Sequence, residues 1–578
     1  MIKKLLTLLC MQLALCCTTF SANYLTFTAE GENSSFSIED HNIKSNIFYS
    51  LNNGKTWKQL TDQPVSLVKG KRALLKGGKP NGTPAWENYS NFKMVGAIAA
   101  SGSVMSLVDG NGESKTIPYA YCFRCLFEDC SSLTKAPELP ATVLEYGCYE
   151  GMFRECTSLT QAPELPATTL EHGCYGFMFS ACTSLTKAPE LPATTLAKDC
   201  YAYMFSVCTS LTQVPELPAT TLADNCYNGM FSACTSLTQT PELPATTLAG
   251  RCYWEMFSGC TSLTKASKLP ATTLAEECYM GMFSGCTSLT QAPELPAKIL
   301  TEGCYNKMYS ECSSLTQAPK LPATRLADHC YAGMFNECTS LTQTPKLPAT
   351  TLAEWCYYDM FQECTSLTKA SELPAATLAE YCYAGMFYGC TSLTQAPELP
   401  ATTLADHCYN NMFSYCTSLT KTPKLPATTL VGDCYYKMFS ECTSLKQAPE
   451  LPAIILTEGC YNQMFSECSS LTQAPKLPAT KLADHCYNRM FYGCTSLTQA
   501  PELPATTLTE GCYYGMFSGC ENLSYIKVAF TDWGTGTDYW IEDVAKHGTF
   551  ICPKKLQIKH GENFIHKGWK IVNEDTNK

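Results

Sequence analysis

Sulfur recurs along this chain at a spacing that could do chemistry. In the stretch "CYGFMFSAC", Cys174, Met178 and Cys182 fall at four-residue intervals. Two thiols and a thioether on one face would suit a soft cation such as Cu(I). Equivalent cysteines in adjacent copies could instead pair as disulfides, which export would favour. A third reading asks for no chemistry, because free cysteine serves well as a small buried residue. Tyr175 and Phe179 share the same face and read as core, which gives the third reading the most weight. Histidine precedes cysteine in "ADHC" at His329, His407 and His485, 78 residues apart. That pairing suits zinc, but copying of a block of sequence produces the same spacing.

What must position these residues is a repeat. Cysteines fall every 26 residues from Cys130 to Cys520, and a second series runs with the same step from Cys122 to Cys512. Together the two series account for 32 of the 37 cysteines. A fixed period of this size signals a solenoid, with 15 full copies over 130–519. In each copy the offsets of Cys174, Tyr175, Met178, Phe179 and Cys182 predict a short helix. Such a helix cannot stand alone and needs its neighbours. The other half, "TSLTQAPELPATTL", predicts a short strand near 159–162, with Leu159 and Leu165 inward and Thr160, Gln161 and Glu164 outward. Pro166 recurs in all 15 copies and Pro163 in 13, with Ser267 and Ser371 as the exceptions. Proline offers no N–H to a ladder, so a turn follows the strand. Strands ~4.8 Å apart would make the array roughly 70–80 Å long. The predicted fold class is an α/β repeat solenoid, one short strand plus one short helix per copy, behind an N-terminal all-β module.

The run "MFSACTSL", an aromatic, two residues, then Cys-x-Ser-Leu, resembles the BspA-like leucine-rich repeats of bacterial surface proteins. "LPATTLA" is similar to a subgroup common in gut Bacteroidetes. The likeness covers about 122–530 and implies a leucine-rich-repeat solenoid with adhesion to host or neighbouring-cell components. Two departures bear on the fold. Ala162 stands where such repeats usually carry a large aliphatic residue, and Pro163 interrupts the strand, so a regular concave sheet is in doubt.

The flanks differ from the repeat. Residues 1–22 read as a secretory signal: Lys3 and Lys4 open it, and Leu5 to Cys17 is too short to span a bilayer. Cys16 or Cys17 offers a place for a lipid anchor, the one expected link to a membrane. Residues 23–118 predict a β-sandwich-like module with a capping segment, since "YLTFTAE", "SFSIED" and "NIFYSLNNGKTWKQL" alternate like strands around an "NNGK" turn. "SLNNGKTW" resembles the Asp-box hairpin of sialidases, but it occurs once and reads as a hairpin only. The solenoid is expected over 119–529 and a C-terminal cap over 530–578.

A formal charge of −11 argues against nucleic acid as the main partner. No Ser–His–Asp order, HExxH or phosphate loop is present. No catalysis, cofactor or bound metal is expected. Between copies, the position of Gln161 is Gln ten times and Lys five, and that of Glu164 is Glu ten times and Lys five. This outward grid supplies the candidate binding residues: Gln161, Glu164, Lys187, Glu190, Gln213, Glu216, Lys265, Lys268, Gln317 and Lys320. Near-identical rows suit a repetitive ligand, a host or bacterial glycan or surface protein, held by many weak contacts. Recent duplication without divergence explains the uniformity equally well. The helical side is expected to vary freely, with His172, Arg251, Trp254, Trp355, Tyr381 and Tyr388 scattered over it. The reading is an exported, monomeric, adhesive surface protein. Its rival is a spacer that presents the N-terminal module as the recognition domain.

Overall fold

The computed structural model describes residues 22–42, 45–77 and 87–574. The expected signal segment up to residue 21, with Cys16 and Cys17, lies outside the described residues. The chain forms two compact units, Met1–Pro218 and Ala219–Lys578.

The first unit begins with two small sheets. One has the order β4 (Lys58–Gln59), β3 (Ile47–Ser50), β6 (Arg72–Gly77), β1 (Leu25–Ala29), β8 (Ile98–Ser101) and β9 (Leu133–Lys135). The other sets β2 (Ser34–His41) between β5 (Val65–Leu67) and β7 (Tyr89–Val95). Strict alternation drives β1: Leu25, Phe27 and Ala29 are buried while Thr26 and Thr28 are half-buried. Phe27 meets Phe36 at 5.2 Å and Phe92 at 5.0 Å, so the two sheets share one aromatic core. The turn between β3 and β4 is held by Asn52, whose Oδ1 accepts the Thr56 N–H, with Asn53 and Gly54 at positive φ. One four-residue helix, α1 (Ser106–Asp109), ends at Gly110 in the left-handed region. The carboxylate of Asp109, its last residue, accepts N–H groups from Asn111, Gly112, Glu113 and Ser114 in the loop that follows. The module runs into the repeat without a break, because β8 pairs in parallel with β9 of the first copy and Phe92 packs on Phe127 at 5.1 Å.

The expected helix of each copy is replaced by a ladder of turns. Within 145–156, Cys148, Glu150, Met152, Arg154 and Cys156 donate to the carbonyls three residues back. The residues between them donate to the next copy: Gly147, Tyr149, Gly151, Phe153 and Glu155 bond the carbonyls of His172, Cys174, Gly176, Met178 and Ser180. Every fourth residue is left-handed, with φ of 55° at Gly147, 60° at Gly151 and 63° at Glu155. The reason lies in the period. An α-helix turns every 3.6 residues, so a strict four-residue pattern would drift about 40° per turn around it. The buried set Cys148, Tyr149, Met152, Phe153 and Cys156 repeats every four residues. A left-handed residue at every fourth position squares the coil, keeps one side inward and frees alternate N–H groups for the neighbouring copy.

Stacking then holds the copies in register. Tyr149 and Tyr175 lie 5.8 Å apart with rings 1° from parallel, and Phe153 and Phe179 5.5 Å apart at 5°. The second unit repeats this, with Tyr357 on Tyr383 at 5.7 Å and Phe361 on Phe387 at 5.7 Å. Such ring pairs add about 0.5–1.5 kcal/mol each beyond the area they bury. Aspartates tie successive turn ladders as well: Asp224 Oδ1 accepts the Gly250 N–H at 2.9 Å, and Asp406 Oδ1 that of Gly432 at 3.0 Å.

The extended half of each copy pairs only briefly. Gln161 bridges Lys187, and Lys187 bridges Gln213, each as an isolated parallel bridge rather than a strand. The prolines that follow end the pairing, as the missing N–H requires. Beyond the first copy, which carries β9, each copy is therefore a turn ladder plus one or two isolated bridges, as at Lys265 and Thr273, not a strand plus a helix. In the second unit the last copies meet a parallel sheet of β10 (Tyr525–Lys527), β11 (Thr549–Pro553) and β12 (Lys570–Glu574). Trp540 packs on Phe517 at 6.3 Å, and the indole N–H groups of Trp533, Trp540 and Trp569 all donate to carbonyls. Large rings with satisfied polar edges thus cover the final core layer.

Candidate functional site

Two repetitive faces carry side chains able to meet a ligand. The first is the proline face. All ten candidate residues of the outward grid are exposed. In the first unit, Gln161, Glu164, Lys187, Glu190 and Gln213 line one groove of about 660 Å³, with Pro163, Pro166, Pro189 and Pro192 among its walls. A second groove of about 660 Å³ lies one row earlier, between Lys135, Pro137 and Glu138 on one side and Gln161, Pro163 and Glu164 on the other. Glu216 is exposed in the same unit. In the second unit, Lys265 bridges Gln239 and Gln317 bridges Gln291, with Lys268 and Lys320 exposed beyond them. A groove of the same make, about 810 Å³, opens there between Lys421, Pro423 and Lys424 and the row of Gln447, Pro449 and Glu450. Prolines make the walls rigid and leave the backbone without ladder partners, so alternate charged and amide groups stand on fixed rows.

The second face is built on the turn ladders, and here scattering gives way to a cluster. His329, Trp355, Tyr381 and His407 occupy the same left-handed slot in consecutive copies of the second unit, at φ of 54°, 57°, 52° and 55°. Their rings form one column: His329 on Trp355 at 5.9 Å, Trp355 on Tyr381 at 3.9 Å, Tyr381 on His407 at 4.5 Å, all within 11° of parallel. Tyr358 meets the edge of Trp355 at 4.8 Å, and Tyr388 lies 5.2 Å from Tyr415. Sequence reasoning named His329, Trp355, Tyr381 and His407 but not the column they form. The signal was present, since 329, 355, 381 and 407 differ by whole periods of the repeat. It was hidden by the expectation of a helix, whose solvated side has no fixed column.

With both faces described, the comparison with known families can be stated. The model of the BspA type leucine-rich repeat region matches residues 121–254, 252–368, 329–472 and 408–532, together running from 121 to 532. The chain belongs to this family. Comparison with curated proteins and with solved structures returns no match.

In this BspA-type chain the recurring sulfurs act as core. All 34 described cysteines are free, and the repeat cysteines are buried apart from the half-buried Cys122. The second member of each pair has a defined partner: Cys156 Sγ donates to the Phe127 carbonyl and Cys182 Sγ to that of Phe153, each at 3.1 Å. The same bond recurs along the second unit, as in Cys364 to Phe335 and Cys390 to Phe361, each at 3.1 Å. Burial pushes the Cys208, Cys260 and Cys312 thiols up from 9.0 to about 12. Thiols held protonated in this way are poor nucleophiles and poor metal ligands. Among the described residues no group of three or more His, Cys, Asp or Glu side chains is placed to hold a metal ion. The "ADHC" histidines belong instead to the left-handed slot, where His329 and His407 stack in the ring column and His485, at φ 54°, lies outside it beside Asn488 at 3.5 Å.

Proposed function

We propose that this BspA-type protein is an exported, non-catalytic surface binder that holds an extended, repetitive ligand along the grooves of its proline face. The observation that carries the reading is the recurrence of one groove design in both compact units, with the same lining of glutamine or lysine, proline, and glutamate or lysine. A ligand that repeats, such as a glycan or a fibrous protein, can place weak contacts in many rows and gain avidity from their number. Export is supported by the basic, then apolar, then small-residue order of residues 1–22. Among the described residues no helix is long and apolar enough to cross a membrane.

A second reading has an observation of its own. The N-terminal module carries a groove of about 700 Å³ lined by Glu39, Asp40, Gln59, Thr61, Asp62 and Lys93. In that reading the repeats are a spacer and this groove recognises the ligand. One experiment separates the two. The full mature chain is applied to an array of glycans and matrix proteins beside two variants. One variant neutralises the rows of the first-unit grooves (Glu164→Gln, Lys187→Gln, Glu190→Gln). The other alters the module groove (Asp62→Asn, Lys93→Gln). Binding on the proline face predicts graded loss in the first variant and none in the second. Loss in the second alone would leave the repeats as a spacer.

A further inference from the structure

The ring column lies on a face that the proline grooves do not use, and its surroundings are mostly acidic, with Lys307 acting on Asp359 alone. The four turn segments 328–338, 354–364, 380–390 and 406–416 carry seven carboxylates and no lysine or arginine. Four of those acids, Asp328, Glu354, Glu380 and Asp406, immediately precede the four column rings and are exposed. None of the four takes part in an ion pair among the described residues. Elsewhere in the same unit such acids are answered: Arg251 pairs with Glu277 at 2.5 Å and approaches Glu276 at 3.8 Å. Burial, then Glu380, Asp433 and Asp406, raise the Tyr381 phenol above its ordinary value.

Glycine fills this slot at Gly303, Gly459 and Gly511 with no strain, whereas a side chain with a Cβ costs about 1–2 kcal/mol in the left-handed region. Side chains with a Cβ fill the slot in other copies too, at Asp199, Asn225, Arg251 and Glu277, so the left-handed φ belongs to the ladder and what sets this stretch apart is four rings in succession. The rings cover one another's faces, so stacking of a flat ligand on a face is blocked within the column. What remains outward is a strip of ring edges beside a line of exposed carboxylates, of which Asp328 and Asp406 each accept one backbone N–H, from Glu354 and Gly432.

We propose that this strip docks a basic polypeptide segment. Lysine and arginine head groups pair with Asp328, Glu354, Glu380 and Asp406, while their aliphatic stems lie along the ring edges. Charge complementarity selects the occupant: four exposed carboxylates in a row, none of them in an ion pair among the described residues, favour a cation. The apolar edges favour a cation with a hydrocarbon stem, which lysine and arginine have. Tryptophan and tyrosine are also the side chains that most often dominate protein–protein binding. The site is independent of the proline grooves, so either can fail without the other.

The test uses the full chain and a fluorophore-labelled synthetic peptide rich in lysine and arginine, read by anisotropy. In the variant W355G/Y381G the rings are removed and the backbone relaxes, so the fold is kept. A second ring variant, W355N/Y381N, uses the residue that the chain itself places at Asn225. A charge variant, E354Q/E380Q, leaves the rings in place. The groove variant described above serves as the control. Expected is at least a tenfold weakening in both ring variants and in the charge variant, a shallower salt dependence in the charge variant, and no change in the groove variant. Ring variants that bind the peptide like the parent chain would overturn the proposal, leaving the rings a packing feature. So would failure of the parent chain to bind the peptide. Binding of a neutral polysaccharide that both ring variants abolish would overturn it in favour of a glycan.

Discussion

Tyr309 stands at a position that is phenylalanine in every other copy. Its ring stacks normally, 5.7 Å from Phe283 and 5.7 Å from Phe335. Its hydroxyl, however, is fully buried and has no hydrogen-bond partner among the described residues. A buried hydroxyl left unpaired costs about 1–3 kcal/mol. Tyr309→Phe restores the consensus, fits the same space and should raise the thermal midpoint; a lowered midpoint would mean that the hydroxyl has a partner. Val207 makes the complementary case on the backbone. It is β-branched, 41% exposed and held at φ 61°, where glycine sits in other copies, such as Gly259 and Gly285. Relief of that strain exceeds the extra chain entropy of glycine, so Val207→Gly should stabilise by about 0.5–1 kcal/mol. The reverse change at Gly511 places a Cβ on the His485 imidazole at a left-handed position, and Gly511→Ala should destabilise. Differential scanning calorimetry of the three variants checks the signs together.

At the scale of the element, the turn ladder differs from a helix in where its hydrogen bonds go. Phe361 donates to Met386 in the next copy while Met360 closes a turn on Tyr357. Neither bond is the i→i−4 bond of an α-helix. Far-ultraviolet circular dichroism should therefore lack the paired minima of helix despite a regular structure over the repeat. A strong helical spectrum would contradict the ladder. Much of the architecture was legible beforehand: the 26-residue period, the inward Leu159 and Leu165, and the proline turn after 162 all follow from residue type and spacing. The helix was misread because offsets of 0, 1, 4, 5 and 8 fit one helical face over so short a span. The decisive clue was the composition at Gly147, Gly151, Glu155 and their equivalents, where glycine recurs and β-branched residues are almost absent. That is the composition of left-handed positions. The candidate rows of the proline face were legible as outward residues. The grooves between them were not, because a groove depends on how two copies stack rather than on either copy alone.

At the scale of the whole molecule, the buried thiols and phenols make stability depend on pH in one direction. Burial raises Cys208, Cys260 and Cys312 to about 12, and it raises others, such as Cys390 and Cys442, well above the ordinary value of 9.0. Buried phenols such as Tyr357 and Tyr409 move the same way, again first through burial. These groups stay protonated in the fold, whereas the unfolded chain begins to release thiol protons near pH 9. The folded state then binds more protons than the unfolded state, so stability falls as pH rises between the two values and is untouched by these groups below them. Each thiol removes up to about 1.4 kcal/mol per pH unit in that window. Domains hold only about 5–15 kcal/mol in total, and each copy shares its stability with its neighbours. A few thiols releasing together therefore exceed what the array can resist. Unfolding should be abrupt between about pH 9 and 10, with circular dichroism lost at the pH where a thiol reagent first reaches the repeat cysteines. Intact dichroism above pH 11, with cysteines reacting one by one, would show that the thiols are not the sealed core their burial indicates.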